Sequence, residues 1–434
     1  MDFIADLHIH SPFSRATSPA STLYGLAGWA RVKGINVVGT GDFTHPEWFK
    51  TLRAQLEPAE PGLYRLLDEQ QVVSPLERVP LAGGPVRFLL SAEISCIYKR
   101  HGRVRKVHNL VYMPDFESAE RLNTRLAGIG NIRSDGRPIL GLDSRDLLEM
   151  VLETTPHGIL VPAHVWTPWF SLFGAKSGFD SLEECFGDLS SHVFALETGL
   201  SSDPAMNRLI SGLDKMALIS NSDCHSPSKL GRESNVFSTG FDYFSMWGAV
   251  KNNSSKTFRG TVEFFAEEGK YHADGHRACD VCLDAVESRS RNGICPVCGK
   301  LLTIGVHHRV LELSDRTEPL FAPDAPGVFS LIPLQELLAE LLDAGPATKK
   351  VMAAYARLIT RFTSELELLI STPITDINCE SPLLAEAINR MRRGSVIRTP
   401  GYDGVYGTIK VFSGDDRPHH NLSGGILSAE RAGR

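Results

Sequence analysis

The sequence predicts an α/β protein: a barrel of parallel strands over residues 1–270, then a small cysteine-bound module, then a mostly helical region. Three observations carry that prediction. Strand-like apolar runs alternate with helical patterns up to about residue 270, the pattern of a parallel sheet with crossover helices. Over 271–315 the composition shifts abruptly to Cys, His, Arg and Gly. From Pro333 onward, apolar residues recur at helical spacing.

Taken in order, the first strand runs are Phe3-Ile4-Ala5, Val37-Val38-Gly39 and Phe88-Leu89-Leu90. Val107–Tyr112, Ile159–Pro162, Val193–Glu197 and Ala217–Asn221 follow, and seven strands are more easily counted than eight. Helical stretches between them include Ser144–Glu153 and Pro204–Leu213. Two long insertions, about 50–86 and 166–192, are large enough to shape the mouth of such a barrel. Beyond the module, helices are expected over Gln335–Leu342, Ala347–Ile370 and Pro382–Arg393, with Pro373 stopping the second. A turn-rich run from Pro400 to Gly407 leads to a strand over Thr408–Phe412. The expected units are therefore 1–270, 271–315 and 316–412, and the polar, Gly-rich 413–434 reads as a disordered tail.

Composition excludes several classes. Of 434 residues, 42% are hydrophobic and 22% charged, which fits a soluble globular chain. A net charge of −6 excludes a generally basic nucleic-acid coat but leaves room for a local basic groove. The start Met1-Asp2-Phe3-Ile4-Ala5-Asp6 has an early acid and no basic region, unlike a signal peptide. No apolar run approaches the roughly 18 residues of a membrane helix, so a cytoplasmic protein is expected. Neither GxxxxGK[ST] nor GxGxxG occurs, which argues against a nucleotide-driven motor and a dinucleotide oxidoreductase. Cys96, Cys185, Cys224 and Cys379 are scattered and read as reduced thiols.

Nine histidines and acids recur where the apolar runs end. They are His8 and His10, Asp42 and His45, Glu93, His108, His164, and Asp223 with His225. Any one alone reads as a satisfied polar group, but together they read as a multinuclear metal site. Residues two apart on a strand point to one side, so His8/His10 and Asp223/His225 have ligand spacing. Imidazole and carboxylate together suit two or three divalent ions (Zn²⁺, Mn²⁺ or Mg²⁺), and a carboxylate can bridge two of them. Such ions lower the pKa of water to about 7 and clamp the oxygens of a phosphoryl displacement, so phosphoester hydrolysis is the natural chemistry.

Cys279-x-x-Cys282 and Cys295-x-x-Cys298, twelve residues apart, have the spacing of a structural four-cysteine zinc site. So small a module buries little core, and zinc contributes on the order of 10 kcal/mol to folding such units. Arg277, Arg289, Arg291, Lys300, His307, His308 and Arg309 make its surface partly basic, fit for nucleic acid or protein.

The nine residues resemble the four motif regions of the PHP (polymerase and histidinol phosphatase) family, which implies a PHP-type distorted (βα)7 barrel. By that resemblance His8, His10, Glu93 and Asp223 hold one ion, and Glu93 bridges to a second held by His108 and His164. Asp42 and His225 would hold a third. Phe43 and Thr44 separate Asp42 from His45, where the family commonly has Asp and His adjacent, so His45 is either a ligand or a residue behind one. The full domain order resembles the endonuclease Q family. So do Gly39 to Pro46, His164 to Phe170, Ser222 to Arg232 and the run from Pro400 to Gly407. That resemblance implies a DNA repair endonuclease cutting 5′ to deaminated bases (uracil, hypoxanthine, xanthine) or abasic sites, leaving 3′-hydroxyl and 5′-phosphate ends.

A DNA substrate directs attention to further residues. Trp166, Trp169 and Phe170, just after His164, can stack on bases or wedge beside an extruded one, unless they pack the insertion onto the barrel. Arg133, Arg137, Lys229, Arg232 and Arg291 are candidates for phosphates, and Arg390, Arg392, Arg393, Arg398 and Lys410 form a second basic stretch. Ser201, Asn221 and Ser222 are candidates for contact with the damaged base, unless they make local strand-end hydrogen bonds. A small-molecule phosphoesterase and a non-catalytic DNA-binding protein are the competing expectations.

Overall fold

The computed structural model describes residues 2–413 apart from Arg78, Ala82 and Gly83. The tail expected from residue 413 onward thus lies almost wholly outside the described residues. Seven strands follow one another in space in chain order: β1 (Asp2–Asp6), β2 (Val37–Gly39), β3 (Arg87–Arg100), β4 (Arg103–Met113), β5 (Ile159–Pro162), β6 (Ala195–Glu197) and β7 (Ala217–Ile219). β1, β2 and β3 are parallel neighbours, β3 and β5 both flank β4, and β6 pairs in parallel with β7. Past β5, Val165 N–H donates to the Glu197 carbonyl of β6 at 3.0 Å. Past β7, a parallel bridge joins Cys224 to Ile9, so the chain returns to the end of β1.

One strand departs from the parallel arrangement expected. β4 runs antiparallel to both β3 and β5, because only His101 and Gly102 connect it to β3. Both have positive φ (+51° and +72°), the two-residue turn whose twist suits a hairpin. β3 is buried from Phe88 to Cys96, which explains its near-continuous apolar run.

The sheet extends from the other edge of β1 through antiparallel β8 (Ser234–Ser238) and β9 (Phe258–Glu263), then parallel β10 (Gly327–Ser330). The 271–315 segment holds a two-stranded hairpin, Asp274–His276 with Val281–Leu283, and a helix over Val306–Leu313. C-terminal helices span Leu334–Leu342, Lys349–Phe362, Ile374–Glu380 and Pro382–Arg392. They bury Leu337, Leu341, Tyr355, Leu358, Leu384 and Ile388 in the same apolar core that Leu26, Phe88 and Leu148 enter.

Two expected helices are shorter. Ala347–Ile370 stops at Phe362, where Thr363 takes φ +71°. Pro204–Leu213 forms a helix only to Asn207, whose side chain is occupied by the Asp203 carbonyl and the Trp166 indole. A fully buried ion pair, Lys33 to Glu365 at 2.6 Å, ties the first helix (Leu23–Lys33) to the C-terminal helices. The turn-rich 400–407 run joins the remaining parts. Gly401 and Gly407 N–H groups donate to the Glu267 and Glu268 carbonyls, while Asp403 accepts from Arg277 N–H and the Thr303 hydroxyl.

Candidate metal centres

The ring of strands brings seven of the nine strand-associated residues into one cluster. His8 and His10 follow β1, Glu93 lies within β3, His108 within β4, His164 follows β5, and Asp223 with His225 follows β7. His108 pairs with Ser95 across the β3–β4 ladder, which puts it diagonal to Glu93 on the same face. Three residues here hold positive φ: Asp42 at +49°, His164 at +30° and Asp223 at +47°. Such strain persists only where the surroundings enforce it. At His164 the backbone packs so closely on Gly199 that a Cβ there would lie 2.5 Å from the His164 Cβ, which requires glycine at 199.

Two ligand groups result, sharing Glu93. In the first, His8, His10, Glu93 and Asp223 offer ligand atoms all within 4.8 Å of one another. His10 Nε2 is 3.2 Å from Glu93 Oε2 and 3.0 Å from Asp223 Oδ1, and His8 Nε2 is 3.5 Å from each. In the second, Glu93 turns its other oxygen, Oε1, to His108 Nδ1 at 2.5 Å and His164 Nε2 at 3.2 Å. His8 Nε2, His10 Nε2 and Asp223 Oδ1 are buried atoms that make no hydrogen bond. Such orphaned atoms are costly, and aimed at one point they fit a divalent cation. His8, His10 and Glu93 are sealed from solvent, whereas the Asp223 side chain is 28% exposed, so the centre opens on that side.

Behind the ligands stands a layer that orients them. His8 Nδ1 is 3.0 Å from Glu197 Oε1. Glu197 also accepts from His164 N–H at 2.8 Å and the Asn221 amide at 2.9 Å. His10 Nδ1 is 3.1 Å from Asp42 Oδ1. Such carboxylate–histidine pairs fix the ring and direct its other nitrogen toward a metal. Burial alone would lower the His8 and His10 pKa, but Glu197 and Asp223 around His8, and Asp42 and Asp223 around His10, raise both well above the ordinary imidazole value. Burial would push Glu93 up, yet Arg137 and His108 hold it well below the usual carboxylate range. Arg137 donates to Glu93 Oε2 at 3.0 Å.

Asp42 and His45 lie behind or beside the cluster. Asp42 is fully buried, and its second oxygen accepts from Ser11 N–H and from the Ser11 and Ser14 hydroxyls. His45 precedes the helix Pro46–Gln55, with Nε2 on the Arg133 carbonyl at 3.0 Å and its ring stacked on Phe13. His225 lies against His10, ring centroids 4.4 Å apart, while Asp42 meets Nδ1 of His10. Among the described strand-end residues, Asp42, His45 and His225 enter neither of the two ligand groups.

The expected DNA-contacting residues divide similarly. Trp166 is fully buried and donates to Asn207, so it packs the insertion. Trp169 is exposed and edge-on to Tyr271, and Phe170 is half-buried against His108. Arg133 is exposed, Lys229 pairs with Glu336, Arg232 donates to the Ser222 carbonyl, and Arg291 pairs with Glu287. Asn221 is sealed, its oxygen taken by Leu7 N–H and the Asn235 amide, and Ser222 is sealed too. Ser201 alone of the three keeps slight exposure, with a hydroxyl that has no partner.

In the 271–315 segment, Cys279, Cys295 and Cys298 converge with His276, their ligand atoms all within 4.8 Å. Cys282, expected as the fourth ligand, is not in that group. Sequence reading missed His276, Glu197 and the Asp42–His10 pairing. A single acid closing a strand, or a histidine three residues before a cysteine, carries no distinctive signal without the fold.

Comparison with known proteins places the whole chain beside relatives and solved structures. A family model described as the MJ0043 C-terminal domain matches residues 333–395. The uncharacterized protein YqxK of Bacillus subtilis is 30% identical over 94% of this chain and 98% of its own. The uncharacterized protein MJ0043 of Methanocaldococcus jannaschii is 33% identical over 56% of this chain, and the match spans only 31% of that relative's length. The lesion-specific endonuclease PfuEndoQ of Pyrococcus furiosus superposes with a TM-score of 0.83 at 31% identity, covering 99% of this chain and 98% of that one. Endonuclease Q in complex with a 27-mer duplex bearing an abasic lesion gives 0.81 at 31% identity, over 100% and 99%. Matched end to end at this identity, the chain belongs to the endonuclease Q family.

Proposed function

We propose that this protein is a metal-dependent DNA repair endonuclease. It hydrolyses the phosphodiester on the 5′ side of a deaminated base or an abasic site, leaving 3′-hydroxyl and 5′-phosphate ends. The observation that carries the reading is Glu93 turning one oxygen to each of two ligand groups. The likeness to lesion-specific endonucleases, one of them bound to abasic duplex, supports DNA as the substrate. We read the strand ring as a PHP-type distorted barrel over 1–270, with a zinc module over 271–315, a helical domain over 316–412 and a cytoplasmic location.

His8, His10, Glu93 and Asp223 would hold one ion, and Glu93, His108 and His164 a second. Divalent cations there would lower the pKa of water and neutralise charge on the phosphate. The remaining work falls to the chain. Glu197 and Asp42 fix the two leading imidazoles, and Arg137 lends a positive charge beside Glu93 where a phosphate can approach. Arg133 and Trp169 are exposed and Phe170 is half-buried, so these side chains would be available to the DNA, while the Ser201 and Ser222 hydroxyls are both buried without a hydrogen-bond partner. Taking a damaged base out of the stack costs a few kcal/mol, least for an abasic site, so discrimination begins before chemistry.

The test is a set of duplexes carrying one uracil, one hypoxanthine, one abasic site or none, incubated with Mn²⁺ or Mg²⁺. A single nick one bond 5′ of each lesion, with extendable 3′ ends and intact undamaged duplex, is expected. Hydrolysis of small phosphate esters without nicking would overturn the reading in favour of a small-molecule phosphoesterase. Binding without hydrolysis under either ion would leave a DNA-binding protein.

A further inference from the structure

We infer that the module's zinc is held by His276, Cys279, Cys295 and Cys298, and that Cys282 stands outside the coordination sphere as a free thiol. The hairpin explains why. Asp274–His276 pairs with Val281–Leu283 so that Gly275 faces Cys282 and His276 faces Val281. Directly opposed residues share a face, and successive residues alternate between faces. Val281 is buried in the module's own small core with Cys295 and Leu302. His276 is therefore on the face that carries the thiols, and Cys282, one residue on, is on the other. Sliding Cys282 into the cluster would require a one-residue register slip that expels Val281 from that core.

The distances agree with the register. His276 Nδ1 is 3.4 Å from Cys298 Sγ, and the four ligand atoms lie within 4.8 Å of one another. Cys282 instead lines a cavity of about 290 Å³ with His272, Asp274, Asp284 and His307, to which none of the four ligand residues contributes. The sequence spacing suits the revised set equally well. His276-x-x-Cys279 and Cys295-x-x-Cys298 are both pairs with two residues between, and three thiolates with one imidazole form a closed structural site. The consequence is electrostatic. Zn²⁺ with three thiolates and neutral imidazole carries one negative charge, against two for four thiolates, which lowers the repulsion a phosphate backbone would meet.

The experiment uses the full chain, purified with its zinc. Brief alkylation with iodoacetamide, mapped by mass spectrometry, should modify Cys282 while Cys279, Cys295 and Cys298 stay protected until a chelator is added. Protection of Cys282 alongside the other three overturns the inference. Cobalt exchange gives a second readout, because sulfur-to-cobalt charge-transfer bands report thiolate ligands only and ignore ions bound by the strand-end histidines. Cys282→Ser should leave those bands unchanged, and His276→Ala should weaken or abolish cobalt uptake at the thiols. Loss of the bands in Cys282→Ser would sink the assignment. If His276→Ala fails to fold, His276→Cys should fold and strengthen the bands, and bands identical to wild type there would count against His276 as a ligand.

Discussion

The two ligand clusters differ in what holds them. The strand-end cluster is buried among seven strands, and a second layer already fixes its imidazoles through Glu197 and Asp42. The module cluster rests on a core of Val281, Cys295 and Leu302, and two of its ligands, His276 and Cys279, are only half-buried while Cys298 is exposed. Strand pairing and packing hold the first cluster in shape. The second has little but the ion. The two clusters thus serve opposite ends: in one the fold would position a metal, in the other a metal would hold the fold.

Chelation breaks this comparison most forcefully. Stripped of all metal, the 271–315 segment should lose the on the order of 10 kcal/mol that structural zinc supplies to such units and become the first site of protease cleavage. The strand ring should resist the protease and recover nicking when Mn²⁺ and Zn²⁺ return. Simultaneous loss of both regions on chelation would erase the distinction. Asp223→Ala comes next. Removing a ligand at the open side of the strand-end cluster should reduce nicking to the metal-free background, with duplex binding and melting temperature close to wild type. Residual nicking above that background would undo the ligand assignment.

Glu197→Gln sharpens the comparison, because it alters only the layer behind the ligands. The two carboxylate oxygens accept from the His8 ring, His164 N–H and the Asn221 amide. An amide there must turn a donor toward one of those donors. Loss of such a partner typically costs about 10–100-fold in metal affinity or activity. A Mn²⁺ titration of nicking should show the activation curve moved to higher concentration, and an unmoved curve would reduce Glu197 to a packing role.

How much of this the sequence carried follows from locality. His-x-His after β1 and Asp-x-His after β7 were legible because two-residue spacing fixes both side chains on one side of a strand. Glu93, His108 and His164 were legible because each closes or interrupts an apolar run. Asp42 resembled them, yet its partners are Ser11, Ser14 and His10, some thirty residues upstream, which only the β1–β2 pairing brings near. Cys282 falls outside the convergent group for a related reason. Cys279 closes the turn of the hairpin and Cys282 lies on the strand that follows, so where the second thiol points depends on strand register, which is a tertiary fact. Asn221 and Ser222 read as polar groups close to the candidate ligands, which they are, but both are sealed from solvent.

The smallest effect concerns the polar layer beneath the strand-end cluster. Glu233 and Glu263 are both fully buried, and burial, together with their mutual repulsion at Glu233, raises both well above the ordinary carboxylate value. Glu263 is met by the Thr198 and Ser220 hydroxyls, whereas one oxygen of Glu233 has no partner. In the folded chain both therefore hold their protons to higher pH than in the unfolded chain, which releases them above about 4.3. Folding then takes up protons, so this pair's contribution is full at low pH and declines as pH rises toward the folded values, by about 1.4 kcal/mol for each unit of elevation. Glu233→Gln removes one titrating member and keeps its shape. Urea unfolding in mildly acidic and mildly alkaline buffer should show the wild type losing stability with rising pH more steeply than the variant, with the variant ahead on the alkaline side. Parallel slopes would mean that Glu233 is ionised in the folded protein, and that the layer supporting the ligands carries a charge balanced by Arg232 rather than a stored proton.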